Sequence, residues 1–478
     1  MSTNTEFEVV IGLEVHTQMK TKTKIFCDCL TLFGQAPNSQ VCPVCLGYPG
    51  VLPVMNEKVI ELAVKTCLMM GFEINRQNKM DRKNYFYPDL PKGYQISQFD
   101  KPIGVRGAVK IVSEEGVRDI RVNRVHIEED AGKSLHMDTS TWVDFNRTGV
   151  PLLEIVSEPD IRSSKEAVFY LKKIKQILEY GGVSDCNMEE GSLRCDANVS
   201  VRLKGETKLG TKAEIKNINS FRYVQKAIDF EVERQIAILK EGGRVIQETR
   251  QYNSTTGVTK PMRSKEEAHD YRYFSEPDLV FNVITEEWIE KLKKTLPETP
   301  DQKCERFEKQ YALPLYDSSV LTADQSAAHF FEEGAKICKN PKMLSNWIMA
   351  ELMREWNELK VTPEKSPVSP ANLAELVNCI EEGKISGRIA KDVFSEMIKT
   401  RKNPSQIVQE KGLSLISNIS EIESLIANVL KTNDKSVQDF KSGKKNAFGF
   451  LVGQIMKSSQ GKADPKTVNE LLQKTLNC

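Results

Sequence analysis

The sequence predicts an α+β fold, a large and mostly antiparallel sheet followed by an all-α helical region. Three observations lead there. Before Leu296, several segments alternate apolar and polar side chains with period two, as half-buried strands do. Regular helices do not separate those segments, which excludes repeated βα units. Beyond Leu296-Pro297-Glu298-Thr299-Pro300 the two-residue period nearly vanishes and helical periods replace it.

Residues 7–19 set Phe7, Val9, Ile11, Leu13 and Val15 on one side and Val10, Gly12, Glu14, His16 and Gln18 on the other. One face is core. The other holds a carboxylate and an imidazole two residues apart, which can share a divalent cation or a proton-transfer task. It can also be the plain polar face of a half-buried strand. Further strands are expected at 120–128, 152–156, 193–203 and 212–217. In the third of these, Leu193, Cys195, Ala197, Val199 and Val201 point inward, opposite Arg194, Asp196, Asn198 and Ser200. Ala213 and Ile215 oppose Lys212, Glu214 and Lys216 in the same way.

Two helices interrupt the strands. Residues 164–180 begin with a capping box of Ser163 and Glu166, carry an apolar stripe of Val168, Leu171, Ile174 and Leu178, and stop at Gly181-Gly182. A second helix follows Ser220 and ends at Gly242-Gly243. Later helical periods fall at 327–338, 343–359 and 371–382, and a break lies at Lys402-Asn403-Pro404-Ser405. The expected division is a mixed core over 1–294, a helical domain over 295–404 and a small helical tail over 405–478.

With 478 residues, 40% hydrophobic and 28% charged, the composition is that of an ordinary globular protein. A net charge of +1 provides no global field for nucleic acid or membrane, so any such surface is local. No apolar run approaches a membrane span, and the N-terminus shows neither a signal nor a presequence pattern. A cytoplasmic location is expected, and the eleven cysteines argue against a disulfide framework.

Cys27-x-Cys29, then twelve residues, then Cys42-x-x-Cys45 suits tetrahedral zinc, with unrelated reduced cysteines as the alternative. All four positions would be protein sulfur, so such a zinc is structural. Acidic groups recur on the non-core faces: His126-Ile127-Glu128-Glu129-Asp130, Glu154 within an apolar run, Asp196 and Glu214. Carboxylate oxygen is the ligand magnesium prefers, and magnesium with phosphate is a common reason to gather it. Residues 81–98 combine Arg82, Lys83 and Lys92 with Tyr85, Phe86, Tyr87 and Tyr94, a mixture that suits a nucleotide or, equally, a packed loop. Arg147, Ser192, Arg194, Glu214, Lys216 and Asn217 complete the candidates for nucleotide or substrate binding. Gly132-Lys133-Ser134 is not a Walker A loop, because Ile127 stands where its first glycine must lie. Neither G-x-G-x-x-G nor a G-x-S-x-G nucleophile elbow occurs. In the tail, Lys441, Lys444, Lys445 and Lys457 cluster near Phe448 and Phe450, either as a solvated face or as a nucleic-acid contact.

The segments IGLEVHTQ (11–18), DRKNYFYPDLPKGYQISQ (81–98), HIEEDAGKS (126–134), DFNRTGVPLLEIVSEPD (144–160), MEEGSLRCDANVSV (188–201), EIKNINS (214–220) and DYRYF (270–274) closely resemble the B subunit of the glutamyl-/aspartyl-tRNA amidotransferases. AFGFLVGQIMK (447–457) is similar to that family's small C-terminal domain. The resemblance implies a glutamine-synthetase-like cradle that uses ATP and Mg²⁺ to phosphorylate the side-chain carboxylate of glutamate mischarged on tRNA(Gln), or of aspartate on tRNA(Asn). It also implies two protein partners, a glutaminase-type amidase that supplies ammonia and a small third protein that braces the pair. Mapped here, the family's metal ligands fall on Glu14, His16, Glu129, Glu154 and Asp196, with Glu128 an undecided neighbour. The four cysteines match a zinc knuckle that some members carry. Ser275 and Cys186 depart from the family's Pro and Gly, and the length favours the bacterial-type form. Two other readings stay open: a stand-alone carboxylate–amine ligase acting on a small metabolite, and a non-catalytic tRNA-binding scaffold.

Overall fold

The structure, a computed structural model, describes residues 6–113, 116–264, 268–413, 419–442, 444, 446–459 and 462–476. The chain divides into two compact units, Met1–Thr299 and Pro300–Cys478. Among the described residues no helix is long and apolar enough to cross a membrane.

A nine-stranded sheet organises the first unit. From one edge it runs Val258–Ser264, Glu248–Asn253, Ala213–Ile218, Leu193–Leu203, Phe7–Gln18, Pro151–Ser157, Gly116–Glu129, Gly104–Ser113 and Glu73–Ile74. Neighbours are antiparallel except Ala213–Ile218 with Glu248–Asn253. The α+β class with a mostly antiparallel sheet is therefore what the chain adopts. Phe7–Gln18 stands at the centre, and its alternation divides the sheet as expected. Ile11, Leu13 and Val15 are buried, whereas Glu14, His16 and Gln18 are half-buried on the other face.

Helices pack against one face. Ala63 of Glu57–Met69, Leu171 and Ile174 of Ser164–Tyr180, and Val224 and Ile228 of Phe221–Lys240 share one core with Ile11, Leu13, Val15, Ile127, Leu153, Ile155 and Val199. Ser163 caps Ser164–Tyr180 by accepting from the Glu166 N–H at 3.2 Å. Glu166 reaches back to the Arg162 N–H at 2.8 Å and pairs with Arg118, one residue beyond the usual box partner.

The structure adds a helix at Glu57–Met69, outside the segments expected from the sequence. Val59, Ile60, Leu62, Ala63, Val64, Thr66 and Cys67 form a broad buried face, opposite a charged row in which Glu61 pairs with Lys58 and Lys65 at 2.8 Å. It also adds the strand Gly104–Ser113, the hairpin Glu248–Asn253/Val258–Ser264 and the short helix Glu286–Lys293.

One irregularity decides the site. Along Gly116–Glu129, Ile120 and Val122 are core residues, and so are Val125 and Ile127. The parity switches between them because the pairing with Pro151–Ser157 shifts: Val156 faces Arg124 but Ser157 faces Val122. This β-bulge turns His126 and Glu128 to the open face and Glu129 away from it.

In the second unit, Phe307, Phe331, Leu344, Ile348, Leu373, Val393 and Phe394 centre one apolar cluster, and Ile422, Ile426, Leu451, Ile455, Val468 and Leu472 centre another. The expected helix over 343–359 is Pro341–Trp347, one π turn at Ile348–Leu352, and Met353–Leu359.

Candidate active site

The open face of the sheet carries two acidic groups joined by the central strand. In the first, His16 Nε2 lies 3.2 Å from Glu154 Oε2 and 3.6 Å from Glu128 Oε1, and His126 Nε2 lies 3.0 Å from Glu154 Oε2. Strand register creates this contact, since His16 faces Glu154 and Glu154 faces His126 across adjacent ladders. Burial opposes charge on His16, but Glu154, Glu128 and Asp196 hold its pKa up at about 9. Against burial, His126 and His16 hold Glu154 well below the carboxylate range. The rings of His16 and His126 therefore converge on one oxygen of a buried carboxylate.

The second group is Glu14, Asp196 and Glu214, whose carboxylates can approach one cation. Glu14 faces Asp196, and Asn198 faces Glu214, in the register. Lys216 Nζ lies 2.8 Å from Asp196 Oδ2 and 3.5 Å from Glu214 Oε1, and these carboxylates raise its pKa against the cost of burial. Asn198 Nδ2 donates to Glu14 Oε1 at 2.8 Å, and Thr249 Oγ1 donates to Glu214 Oε2 at 2.9 Å.

The cationic candidates separate by strand parity. Lys83 faces the first group: burial opposes its charge, and the Tyr273 phenol with the Glu128 and Glu154 carboxylates raises its pKa. Its Nζ stands 4.8 Å from the centre of the Tyr271 ring. Arg82 turns the other way and is engaged by Glu276, donating from Nε at 2.7 Å and from Nη2 at 2.8 Å. Lys92 pairs with Glu129, whose Oε1 also accepts from the Ile96 N–H at 2.8 Å. The structure thus leaves Glu129 outside the group formed by His16, Glu128 and Glu154.

Three other candidates brace the backbone around the site. Arg147 donates to the carbonyls of Ala131 at 2.9 Å and Gly132 at 2.6 Å. Arg194, opposite His16 in the register, donates to Asp130 Oδ2 at 2.9 Å. Ser192 closes a turn, its Oγ bonded to Asp185 and accepting from the Asn187 N–H at 2.8 Å. The Asn217 side chain and Lys445 lie outside the described residues. Lys441, Lys444 and Lys457 are exposed, and Lys444 pairs with Asp439 at 2.8 Å.

His126 heads the acidic run in the sequence, but the sequence assigns it no role in the site. Its signal was the alternation of Val125 and Ile127, legible only once the bulge is placed. Of the two departures, Cys186 takes φ +48°, a left-handed conformation that glycine adopts without strain. Ser275 Oγ accepts from Lys79 Nζ at 2.8 Å on an exposed segment.

The four cysteine sulfurs all lie within 4.8 Å of one another. Tetrahedral zinc with Zn–S bonds of ~2.3 Å places its sulfurs about 3.8 Å apart, so the cluster fits an S₄ site. Cys45 Sγ accepts from the Cys42 N–H at 3.2 Å and from Lys24 Nζ at 3.6 Å. Hydrogen bonding with Cys27 lowers the Cys45 thiol most, burial opposes, and the Lys24 charge assists.

A family model described as the GatB/GatE catalytic domain matches residues 9–290, and one described as the GatB domain matches residues 329–476. The chain belongs to this family. It is 55% identical over 473 residues to the aspartyl/glutamyl-tRNA(Asn/Gln) amidotransferase B subunit of Caldanaerobacter subterraneus subsp. tengcongensis, covering 99% of this chain and 100% of the relative. The protein of the same name from Thermodesulfovibrio yellowstonii is 55% identical over 472 residues, covering 98% and 99%. That from Persephonella marina is 53% identical over 472 residues, covering 98% and 100%. Membership places both acidic groups and the cysteine cluster inside the matched catalytic region.

Proposed function

We propose that this chain is the carboxylate-activating catalytic component of a tRNA-dependent amidotransferase. It would act in the cytoplasm on glutamate mischarged on tRNA(Gln), aspartate mischarged on tRNA(Asn), or both. The observation that carries this reading is the pair of acidic groups that share the Phe7–Gln18 strand on the uncovered face of the sheet.

A carboxylate is a poor acyl donor because oxide is a poor leaving group. In the first half-reaction a side-chain carboxylate oxygen attacks the γ-phosphorus of ATP and ADP departs. In the second, ammonia attacks the acyl carbon, phosphate leaves and a proton is lost, giving the amide. Phosphoryl transfer depends on positioning and charge neutralisation. Glu14, Asp196 and Glu214 form an all-oxygen set suited to Mg²⁺, and His16, Glu128 and Glu154 form a second candidate set. Mg²⁺ bound there supplies charge neutralisation for the phosphates. Lys83 and Lys216 supply fixed positive charge beside these sets. The four cysteines would hold a structural Zn²⁺, away from the chemistry. A glutaminase-type amidase, which releases ammonia from glutamine, and a small bracing protein complete the assembly. The 405–478 tail, with Lys441, Lys444, Lys445 and Lys457, is assigned to tRNA.

The test is amidation by the reconstituted complex with each mischarged tRNA, ATP and Mg²⁺, with glutamine or ammonium as donor. The isolated chain should use ammonium and not glutamine. Amidation that survives ribonuclease treatment of the substrate would favour a small-metabolite ligase. Absence of tRNA-stimulated ATP cleavage in the complex would favour a scaffold.

A further inference from the structure

Lys24 is fully buried, yet among the described residues it forms no ion pair with a carboxylate. Its Nζ donates to Cys45 Sγ at 3.6 Å and to the Phe145 carbonyl at 3.2 Å. We infer that Lys24 is a positioning residue that acts through the four-cysteine site. Its ammonium offsets the charge of the metal-bound thiolates and pins them to the 143–150 segment, which leads into the strand of Glu154. The inference rests on the structural zinc proposed above and names the residue that couples this metal to the sheet.

Three observations carry it. A lysine with no exposed surface is rare without a countercharge, because burial strips the ammonium of its hydration. Zinc on four thiolates keeps a net negative charge, so a cation beside one sulfur relieves both groups, and partners of this outer kind fix the ligands they touch. Secondly, the loop between the two cysteine pairs is stitched to the same segment that Lys24 holds. The Asn38 N–H donates to Asp144 Oδ1 at 2.9 Å, and Asn38 Oδ1 accepts from the Phe145 N–H at 2.8 Å. The Gln40 N–H donates to Asn146 Oδ1 at 2.8 Å, and Asn146 Nδ2 donates to the Ala36 carbonyl at 2.7 Å. On the inner side the Ile25 N–H donates to the Gly149 carbonyl at 2.9 Å. Thirdly, Gly149 is the point where the cysteine site meets the sheet. A Cβ built there would lie 3.6 Å from Lys24 Cδ, 3.7 Å from Cys45 Cβ and 3.9 Å from Glu129 Oε2, and its φ of +79° suits glycine. A cavity of about 220 Å³ has Lys24, Cys27 and Cys45 on its wall together with Lys92 and Glu129, so the cysteine site and that ion pair share one lining.

The test uses the full-length chain loaded with Zn²⁺, or with Co²⁺ as a spectroscopic probe. Lys24→Gln keeps a hydrogen-bond donor for the Phe145 carbonyl and drops the charge; Lys24→Met drops both. Each should weaken zinc about 10- to 100-fold in competition with a chelating dye, the scale on which outer partners act. Each should also move the thiolate-to-cobalt charge-transfer band to longer wavelength, because a cation beside sulfur lowers the donor orbital. Melting curves check the fold of both variants. In the wild type, zinc removal should speed hydrogen exchange of the 143–150 amides. Unchanged affinity with an unmoved band in the folded variants overturns the inference. So does weakening in Lys24→Met alone, which would make Lys24 a brace for the carbonyl and nothing more. Exchange at 143–150 that is indifferent to zinc overturns it as well. The zinc reading fails separately: a wild type that takes up neither Zn²⁺ nor Co²⁺ leaves Lys24 no cluster to serve and removes both.

Discussion

Glu128 and Glu129 are adjacent in the chain and serve opposite sides of the sheet. Glu128 Oε1 lies 3.6 Å from His16 Nε2, whereas Glu129 pairs with Lys92 and accepts from the Ile96 N–H. Glu128→Gln should raise the Mg²⁺ concentration that supports half-maximal amidation, and Glu129→Gln should leave that concentration unchanged. Mg²⁺ titrations of both variants check this. The reverse pattern would return the ligand role to Glu129.

Asp196 sits on the face away from the core, opposite Glu14 in the register. Asp196→Ala should reduce amidation by roughly 100-fold or more, the scale of a lost metal clamp on a phosphoryl group. The melting temperature should change little. Near-normal turnover would remove Asp196 from the site.

The cysteine cluster should hold about one zinc per chain, as a closed S₄ site does. Elemental analysis of protein purified without chelators reads this directly. Cys45→Ser should lower the metal content and destabilise the knuckle. Four freely alkylated thiols with no bound zinc would contradict the assignment.

In the second unit, Asp317 is buried and accepts from Ser345 Oγ at 2.7 Å and Lys342 Nζ at 2.5 Å. Burial alone would raise its pKa, but Lys342 and Ser345 bring it below the ordinary value. A lowered folded pKa means that its stabilisation is complete above the ordinary aspartate range and is lost as pH falls through the folded value. Asp317→Asn should therefore cost about 1–3 kcal/mol at neutral pH, with the difference from wild type shrinking in acid. Denaturant melts across a pH series measure it. A constant difference at all pH values would show that charge is not involved.

Lys441, Lys444 and Lys457 are exposed on the tail. If they meet tRNA phosphates, binding weakens steeply with salt through counterion release. Neutralising them together with Lys445 should flatten the salt slope by up to about one unit per contact. Truncation after Lys402 should raise the KM for mischarged tRNA and spare ATP binding. An unchanged slope and KM would make the cluster a solvated face.

Much of this was legible in the sequence. Alternation over 7–18 and 193–203 needed only the two-residue period of a strand, so it identified the central pair and the faces of Glu14, His16 and Asp196. The two capped helices were legible because Ser163 and Ser220 stop and start the backbone locally. The cysteine spacing announced a four-sulfur cluster because its ligands lie close in the chain.

What only the tertiary structure decided depends on partners distant in sequence. The bulge opposite Val156 and Ser157 reverses parity before His126, and a period read along one strand cannot register a residue that its neighbour omits. Arg82 and Lys83 look equivalent in the chain, yet strand alternation gives one to Glu276 and the other to the acidic face. Residue types and local spacing fix which chemistry is available. Sheet register, set by long-range pairing, fixes which of those groups meet.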